Sequence, residues 1–95
     1  MNFGDAIAAA KTGATIMRNG WNGKSMWVCY VPPHSVPDAR GNIPPIVRKF
    51  VPSGAVVIGA HFVMWTAQGI WQPGWLASQQ DMLADDWRIR DPQPV

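Results

Sequence analysis

The stretch Met26-Trp27-Val28-Cys29-Tyr30-Val31 decides the fold, because all six of its residues are apolar. A strand with one solvated face alternates apolar and polar residues, whereas a strand covered on both faces is apolar throughout. The stretch therefore predicts a strand inside a sheet, with another subunit as one candidate for the cover of its second face. Pro32-Pro33 ends the strand, since proline has no backbone N–H to donate to a neighbouring strand.

The residues before this strand predict one helix and one short strand. Asn2 is a candidate N-cap, with Asp5 at the third helical position. Three apolar residues share one face at helical spacing, namely Phe3, Ile7 and Ala10. Gly13 ends the helix, because glycine adopts the left-handed conformation at no steric cost. Ala14 to Arg18 is the short strand.

Residues 32–54 hold six of the nine prolines and form a long, irregular excursion. We expect one short extended piece within it, from Ile46 to Val51. A loop of this length in a small domain is usually functional or wraps a partner. Its four basic side chains are candidates for a pocket wall, with a solvated surface as the alternative, and they are His34, Arg40, Arg48 and Lys49.

The residues after the excursion predict a hairpin. Ala55 to Thr66 is a strand pattern, and Ala67-Gln68-Gly69 is a turn whose glycine supplies positive φ. Ile70 to Trp75 is the partner strand. Pro73 confines this partner to a sheet edge or a strand end, because it cannot donate to the ladder.

A short helix and a last strand follow the hairpin. Ser78 is the N-cap, and Asp81 lies in the first turn, where the helix dipole favours negative charge. The helix runs from Gln79 to about Ala84. Asp85-Asp86 is expected to be a solvated turn, and Trp87 to Arg90 alternates as a strand.

Together these elements predict an α+β fold. One antiparallel sheet of about four or five strands carries an N-terminal helix and a short helix before the last strand. The 95 residues are expected to form a single domain, 1–95, with the 32–54 excursion and a 91–95 tail. This length matches the common domain size of ~100–150 residues, with no room for a second domain.

The charge balance narrows the range of partners. Eight Lys and Arg against six Asp give a formal charge of +2, and no basic run exceeds two residues. A long polyanion usually meets a basic stripe that neutralises several phosphates at once. Duplex nucleic acid is therefore not an expected partner, whereas a small anion with one or two phosphates suits this balance.

The sequence lacks the residues that several classes of function require. The single cysteine, Cys29, excludes an intramolecular disulfide and a Cys-based zinc site, and we expect it to be buried filler. The chain has no glycine-rich phosphate loop, and neither His34 nor His61 lies in a catalytic motif. We therefore expect no enzyme, no metal and no cofactor.

The N-terminus has no signal-peptide pattern and no segment approaches the ~18 apolar residues of a membrane helix, so we expect a soluble, cytoplasmic chain without a membrane partner.

The first candidate site is Trp21-Asn22-Gly23-Lys24. Trp21 lies between the turns Asn19-Gly20 and Asn22-Gly23, where a loop bends and ordinary strand packing is difficult. An indole stacks on a purine, and glycine-turn amides beside an ammonium hold a phosphate. The alternative is a tryptophan that closes the edge of the core beside a solvated lysine.

Further candidates lie in the C-terminal half. Trp71 and Trp75 would share a face of a regular strand, although Pro73-Gly74 can twist it, and core packing is the alternative for both. Ser78 is first a helix cap, and the same N-terminus can present N–H groups to an anion. Gln79 and Asp81 are candidates to contact a base edge or ribose hydroxyls. The other tryptophans are expected in the core or a subunit interface, and they are Trp27, Trp65 and Trp87.

Three segments together resemble a known family. They are Trp75-Leu76-Ala77-Ser78-Gln79-Gln80-Asp81-Met82-Leu83-Ala84-Asp85-Asp86-Trp87, Gly20-Trp21-Asn22-Gly23-Lys24 and Asn2-Phe3-Gly4-Asp5-Ala6. The chain resembles the Thoeris anti-defence type 2 family of small phage and prophage proteins from about residue 2 to residue 90.

This resemblance implies a binding protein without turnover. Family members capture cyclic ADP-ribose-type signals of Thoeris defence, notably glycocyclic ADP-ribose isomers, so that the host effector is not activated. Some relatives also hold cyclic oligonucleotides of another defence system at separate sites. The resemblance further implies a symmetric homo-oligomer, typically a tetramer with pockets near subunit junctions, in the cytoplasm of the infected bacterial host.

The chemistry of the matching positions suggests a role for each. Trp21 is a partner for adenine, and Gly23 with Lys24 for a pyrophosphate. Asn22, Gln79 or Asp81 are partners for ribose hydroxyls. The alternative function is a structural or protein-interaction module of a phage particle or prophage. A third hypothesis, single-strand nucleic-acid binding, is disfavoured by the scattered charges.

Overall fold

The structure, a computed structural model, describes residues 1–21, 25–38 and 43–90. Its helices are α1 (Phe3–Lys11), α2 (Pro45–Arg48) and α3 (Gln79–Leu83). Its strands are β1 (Ile16–Arg18), β2 (Trp27–Val31), β3 (His34–Val36), β4 (Val56–Ile58), β5 (His61–Trp65), β6 (Trp71–Pro73) and β7 (Trp87–Ile89). An antiparallel main sheet has the order β6-β5-β2-β1-β7, and β3 pairs with β4 in a small second sheet. The α+β prediction is confirmed, including the N-terminal helix and the short helix before the last strand.

Helix α1 begins and ends at the residues that the sequence indicates. The Asn2 side chain accepts a hydrogen bond from the Asp5 backbone N–H at 2.8 Å, which satisfies one of the free donors of the first turn. Thr12 is the C-cap, and Gly13 follows with a φ of 106°. Ala6 and Ala10 are completely buried, and their small side chains let the helix lie close to the sheet.

One face of the main sheet packs under α1 and forms the core. Its buried residues are Ala6, Ala10, Ile16, Val28 and Trp87. Half-buried aromatic side chains extend it, namely Phe3, Trp21, Tyr30, Phe62 and Trp75. Removing a side chain the size of Val28 from water contributes about 1.5–3 kcal/mol, so even this thin core is a major stabilising term.

The opposite face of the main sheet is apolar as well. Side chains alternate along a strand, so the neighbours of core residues in β2, β5 and β6 point away from α1. They include Trp27, Cys29, Val63, Trp65 and Trp71. Val63 is completely buried there, whereas Cys29 is half-buried, so the prediction of a buried cysteine is wrong. Partial burial raises the pKa of the Cys29 thiol. The prediction that residues 26–31 contain an inner strand is confirmed, since β2 lies between β1 and β5.

The run from Ala55 to Thr66 is not one strand, which corrects the sequence prediction. It divides into β4 and β5 at the small residues Gly59 and Ala60, where the chain passes from the small sheet to the main sheet. The partner of β4 is β3, which lies inside the excursion and was not predicted.

The expected extended piece at Ile46 to Val51 is also wrong. Pro45 to Arg48 forms the short helix α2, and Lys49 and Phe50 continue as a turn. Proline fixes φ near −65°, which suits the first turn of a helix, and Pro44-Pro45 occupies that place here. The helical start therefore overrides the extended preference of the apolar residues that follow.

A glycine β-bulge ends β6 and moves Trp75 to the core face. The backbone N–H groups of Gly74 and Trp75 both donate to the Phe62 carbonyl, at 2.9 and 3.0 Å. Gly74 has a φ of 79°, the left-handed conformation that the first position of this bulge requires. Because of this extra residue, Trp71 and Trp75 lie on opposite faces of the sheet. The sequence left this outcome open, since Pro73-Gly74 can twist a regular strand.

The bulge predicts a specific cost for Gly74→Ala. A non-glycine residue in the left-handed conformation costs roughly 1–2 kcal/mol, so the free energy of unfolding of Gly74→Ala should be lower than that of the wild type by about this amount. Urea unfolding monitored by tryptophan fluorescence measures it. Gly59→Ala is the matched control, because neither glycine has a neighbour within 4 Å of an added Cβ and only Gly74 has a positive φ. Equal losses in the two variants would contradict the role given to the bulge.

Candidate functional site

Trp21 lies at the edge of the core, directly after β1. Its backbone N–H donates to the Arg18 carbonyl at 3.2 Å, which closes a turn at the end of the strand. Its indole meets two others edge to face, with ring centroids 5.2 Å from Trp87 and 6.2 Å from Trp75. Such tilted contacts are favoured by the ring quadrupoles. The half-buried indole is therefore fixed by aromatic neighbours on one side.

The Asp81 carboxylate fixes the same indole from another direction. Oδ1 accepts the Trp21 Nε1–H at 3.1 Å and the Arg18 Nη1–H at 2.8 Å. Oδ2 accepts the backbone N–H of Ser78 at 3.3 Å, and the Ser78 hydroxyl accepts the Asp81 backbone N–H at 3.0 Å. In addition, the Trp87 indole donates to the Asp81 carbonyl at 2.8 Å. One residue thus joins α3 to the tryptophan cluster.

Asp86 holds the main chain of the same turn. Its Oδ1 accepts the Arg18 Nε–H at 2.8 Å, and its Oδ2 accepts the Gly20 backbone N–H at 2.8 Å. A Cβ on Gly20 would lie 2.9 Å from Asp86 Oδ2, so glycine permits this close approach. Arg18 therefore bridges two carboxylates, and we call Arg18, Trp21, Ser78, Asp81 and Asp86 the Asp81 cluster.

The charges of the cluster shift the pKa values of its members. Burial of the Asp81 carboxylate disfavours its charged form, but hydrogen bonds from Arg18, Trp21 and Ser78 outweigh burial and lower the pKa. The hydrogen bond from Arg18 lowers the pKa of Asp86, with a smaller contribution from the Gly20 N–H. The hydrogen bonds to Asp86 and Asp81 in turn raise the pKa of Arg18. All three groups are charged at neutral pH.

The predicted site residues of α3 have different surroundings. Ser78 and Asp81 cap the helix reciprocally, and the Asp81 side chain is buried in the cluster. Two N–H groups of the helix N-terminus are thereby satisfied within the chain, beside a negative charge. Gln79 occupies the first helical position and is exposed. Of these three residues, Gln79 has the side chain that presents an exposed amide to a ligand.

Trp71 belongs to a second aromatic cluster, on the sheet face opposite Trp21 and Trp75. Trp27 stacks on Trp65 with centroids 6.1 Å apart and planes 15° apart, and it meets Trp71 edge to face at 6.1 Å. The Arg90 guanidinium lies over the Trp27 ring at 5.2 Å. Trp71 is 49% exposed. Within one chain the structure therefore brings together Trp21, Trp75, Ser78 and Asp81, but not Trp71.

Other predicted residues lie outside the described part of the chain or make local contacts. Asn22, Gly23, Lys24, Arg40 and the 91–95 tail are outside the described residues. In the excursion, His34 Nδ1 contacts the Pro32 carbonyl at 3.0 Å, Arg48 donates to the Ile43 carbonyl at 3.1 Å, and Lys49 lies over the Phe50 ring.

Sequence reasoning missed Arg18 and Asp86, and it assigned Trp87 only to the core or an interface. In the sequence Arg18 is one of several scattered basic residues. The prediction of a solvated turn is wrong for Asp86, which is half-buried and ion-paired. Asp85 is exposed, as expected of that turn. Arg18 and Asp86 are 68 residues apart, so no local pattern connects their opposite charges.

The described ranges contain no group of three or more His, Cys, Asp or Glu side chains placed to hold a metal ion. They also contain no helix with the length and apolar content to cross a membrane. The arrangement offers an indole with a fixed orientation, and Gln79 of α3 presents an exposed amide. These are features of a binding site for a planar, polar ligand.

Comparison with known proteins gives a consistent result over nearly the whole chain. A family model described as the Thoeris anti-defense 2-like domain matches residues 1–90. A curated relative, Thoeris anti-defense 2 of Bacillus phage SP01, is 30% identical over 90 residues, which cover 94% of this chain and 93% of the relative. The matched range includes every member of the Asp81 cluster.

The lowered pKa values predict that the cluster stabilises the fold above acidic pH. The folded pKa of Asp81 lies below the unfolded value of about 3.9, so its stabilisation is complete above that value and is lost as the pH falls through the folded pKa. Asp81→Asn removes a charged acceptor and should cost roughly 1.5–3 kcal/mol at pH 7. It should also flatten the loss of stability on acidification.

Urea unfolding at pH 7, 5, 4 and 3 measures both effects. Asp85→Asn is the control, since Asp85 is an exposed carboxylate four residues further on that forms no ion pair with the described residues. If Asp81→Asn and the wild type lost stability equally between pH 5 and pH 3, Asp81 would not be an acid-sensitive support of the fold.

Proposed function

The chain belongs to the Thoeris anti-defense 2-like family, and from this membership we propose that it binds and sequesters cyclic ADP-ribose-type immune signals without cleaving them. Membership of this family supports a role of the protein in phage action against Thoeris defence. In our proposal the ligands are glycocyclic ADP-ribose isomers, and cyclic oligonucleotides are a second class at a separate site. Capture of the signal in the cytoplasm of the infected bacterial host leaves the Thoeris effector inactive.

The observation that carries this proposal is the fixed indole of Trp21. Its N–H is bound by Asp81 and the ring packs in T-shaped contacts with Trp75 and Trp87, so its orientation is set before a ligand arrives. Stacking on a base contributes ~1–3 kcal/mol. A ring that is already ordered retains more of this energy in the measured affinity, because less side-chain freedom is lost on binding.

The other proposed contacts come from the residues that follow Trp21 in sequence and from α3. Asn22, Gly23 and Lys24 follow Trp21 directly in sequence and supply amide, backbone N–H and ammonium groups for ribose and pyrophosphate. Gln79 adds an exposed amide. In this proposal Asp81 and Ser78 support the site through Trp21 and the α3 cap, because their polar groups already bind within the chain.

Trp71 enters the proposed site from a second copy of the chain. It lies on the opposite sheet face from Trp21 and is half exposed, which suits a residue that reaches across a junction. We propose a homo-oligomer, a tetramer by family resemblance, with pockets at these junctions. Exposed apolar side chains around α3 support self-association, since Leu76 is 88% and Leu83 is 80% exposed.

A signal-sequestering protein must bind tightly and release its ligand unchanged. Nanomolar affinity corresponds to ~12 kcal/mol, which a stacked base, a pyrophosphate in charge-assisted hydrogen bonds and a rigid pocket can approach together. No proposed step breaks a bond of the ligand. The role of each residue is to bind, orient or exclude water.

The decisive experiment is ligand capture. Purified protein should take up a cyclic ADP-ribose isomer, and heat denaturation should release the same molecule, identified by mass spectrometry. Recovery of a cleaved product would make the protein an enzyme instead. A specific protein partner in place of any nucleotide would favour the structural or protein-interaction module.

Trp21→Ala should lower the affinity roughly 5- to 150-fold, which corresponds to ~1–3 kcal/mol, because the variant removes the stacking surface at the centre of the site. Isothermal titration calorimetry measures the affinity, and gel filtration checks that the assembly persists. Phe50→Ala is the control, since Phe50 is an aromatic residue that is 75% exposed in the excursion. Wild-type affinity in Trp21→Ala would remove Trp21 from the site.

Leu83→Lys should weaken self-association, because it introduces a charge into an exposed apolar surface that we place at the junction. Light scattering after gel filtration gives the mass of the assembly. Gln80→Lys adds the same charge on the same helix at an exposed polar position and should leave the assembly unchanged. A wild-type monomer, or equal behaviour of both variants, would refute this junction.

A further inference from the structure

We infer that Arg18 is a positioning residue for the ligand site, and that it acts by holding Trp21 through the carboxylates of Asp81 and Asp86. This inference rests in part on the proposed function, since it assigns Arg18 a role in the affinity for a base-containing ligand. The role of Arg18 is indirect, because its guanidinium is occupied within the chain.

The Arg18 guanidinium contacts two carboxylates at once. Arg18 Nη1 lies 2.8 Å from Asp81 Oδ1, and Arg18 Nε lies 2.8 Å from Asp86 Oδ1. The Arg18 side chain is 17% exposed and that of Asp81 is 12% exposed, so solvent screens this pair weakly. The planar fork of arginine reaches two acceptors at once, which the single ammonium of lysine does not match.

The acceptors connect Arg18 to Trp21. Asp81 Oδ1 receives the guanidinium and the Trp21 indole N–H at the same atom. Asp86 receives the guanidinium at Oδ1 at 2.8 Å and, more weakly, at Oδ2 at 3.5 Å, and Oδ2 also accepts the Gly20 backbone N–H at 2.8 Å. Arg18 therefore orients both carboxylates: that of Asp81, which accepts the Trp21 indole N–H, and that of Asp86, which accepts the Gly20 backbone N–H.

The position of this arrangement links it to binding. Both contacts end at Gly20 and Trp21, immediately before the proposed contact residues Asn22, Gly23 and Lys24. Asp81 lies in α3 and Asp86 directly before β7, 63 and 68 residues further along the chain than Arg18. Gly20 and Trp21 are thus joined to a distant part of the sequence by two carboxylates, and Arg18 orients both of them.

A double-mutant cycle tests whether Arg18 acts through Trp21. Arg18→Lys should lower the affinity for a cyclic ADP-ribose isomer roughly tenfold, a typical coupling for residues in one hydrogen-bond network. Trp21→Phe keeps an aromatic ring but lacks the N–H that Asp81 accepts. In the Trp21→Phe background, Arg18→Lys should therefore change the affinity less than about twofold.

Arg88→Lys is the matched control, because Arg88 is an exposed arginine on β7 and the charge is kept in both variants. It should leave the affinity unchanged. An equal loss from Arg18→Lys in both backgrounds would mean that Arg18 acts on the ligand directly or on the fold in general, and would overturn the inference. Wild-type affinity in Arg18→Lys would overturn it as well.

A second measurement needs no ligand. The Trp21 indole N–H gives a ¹H–¹⁵N signal that is identified by its loss in Trp21→Phe, and its exchange with solvent should be faster in Arg18→Lys than in Arg88→Lys. Equal exchange in these variants would show that Arg18 does not hold Trp21. If the wild type bound no cyclic ADP-ribose isomer, the proposed function would fail, and this exchange rate would still decide the positioning role.

Discussion

The Asp81 carboxylate is the constraint on which the arrangement of the molecule depends. It takes an N–H from the guanidinium of Arg18, one from the indole of Trp21 and one from the backbone of Ser78. A buried charge with fewer donors would be costly, and with these donors it is held in its ionised form. The same residue caps α3 and positions Trp21, so the helix, the turn after β1 and the tryptophan cluster are coupled.

The six tryptophans are divided between the two faces of one thin sheet. Trp21, Trp75 and Trp87 lie on the α1 side, whereas Trp27, Trp65 and Trp71 lie on the other. A chain of this size buries a smaller fraction of its surface than a larger domain, so large rings on both faces supply much of the apolar contact. The bulge at Gly74 makes this division possible, because it moves Trp75 to the side opposite Trp71.

Local patterns predicted the elements that depend on neighbours in sequence. Asn2 caps α1, Gly69 closes the β5–β6 turn with a φ of 77°, and Ser78 caps α3. The face of Trp75 could not be predicted, because the bulge requires the Phe62 carbonyl as a distant partner. The pairing of β3 with β4 depended in the same way on how the excursion folds back, whereas the helical start at Pro44-Pro45 is a local signal that the sequence prediction did not use.

The candidate site shows the same limit more sharply. Trp21 stood out because it lies between two turns, but its orientation depends on Asp81, 60 residues away. Arg18 and Asp81 support both the fold and the candidate site, and this restricts which substitutions can change the site alone. In the proposed function, substitutions at Arg18 or Asp81 would alter stability and indole position together, whereas a substitution at the exposed Gln79 would alter ligand contacts without removing an internal support. Differences in ligand preference among chains with this fold should therefore arise at exposed positions around Trp21, because only there can contacts change while the anchored ring stays in place.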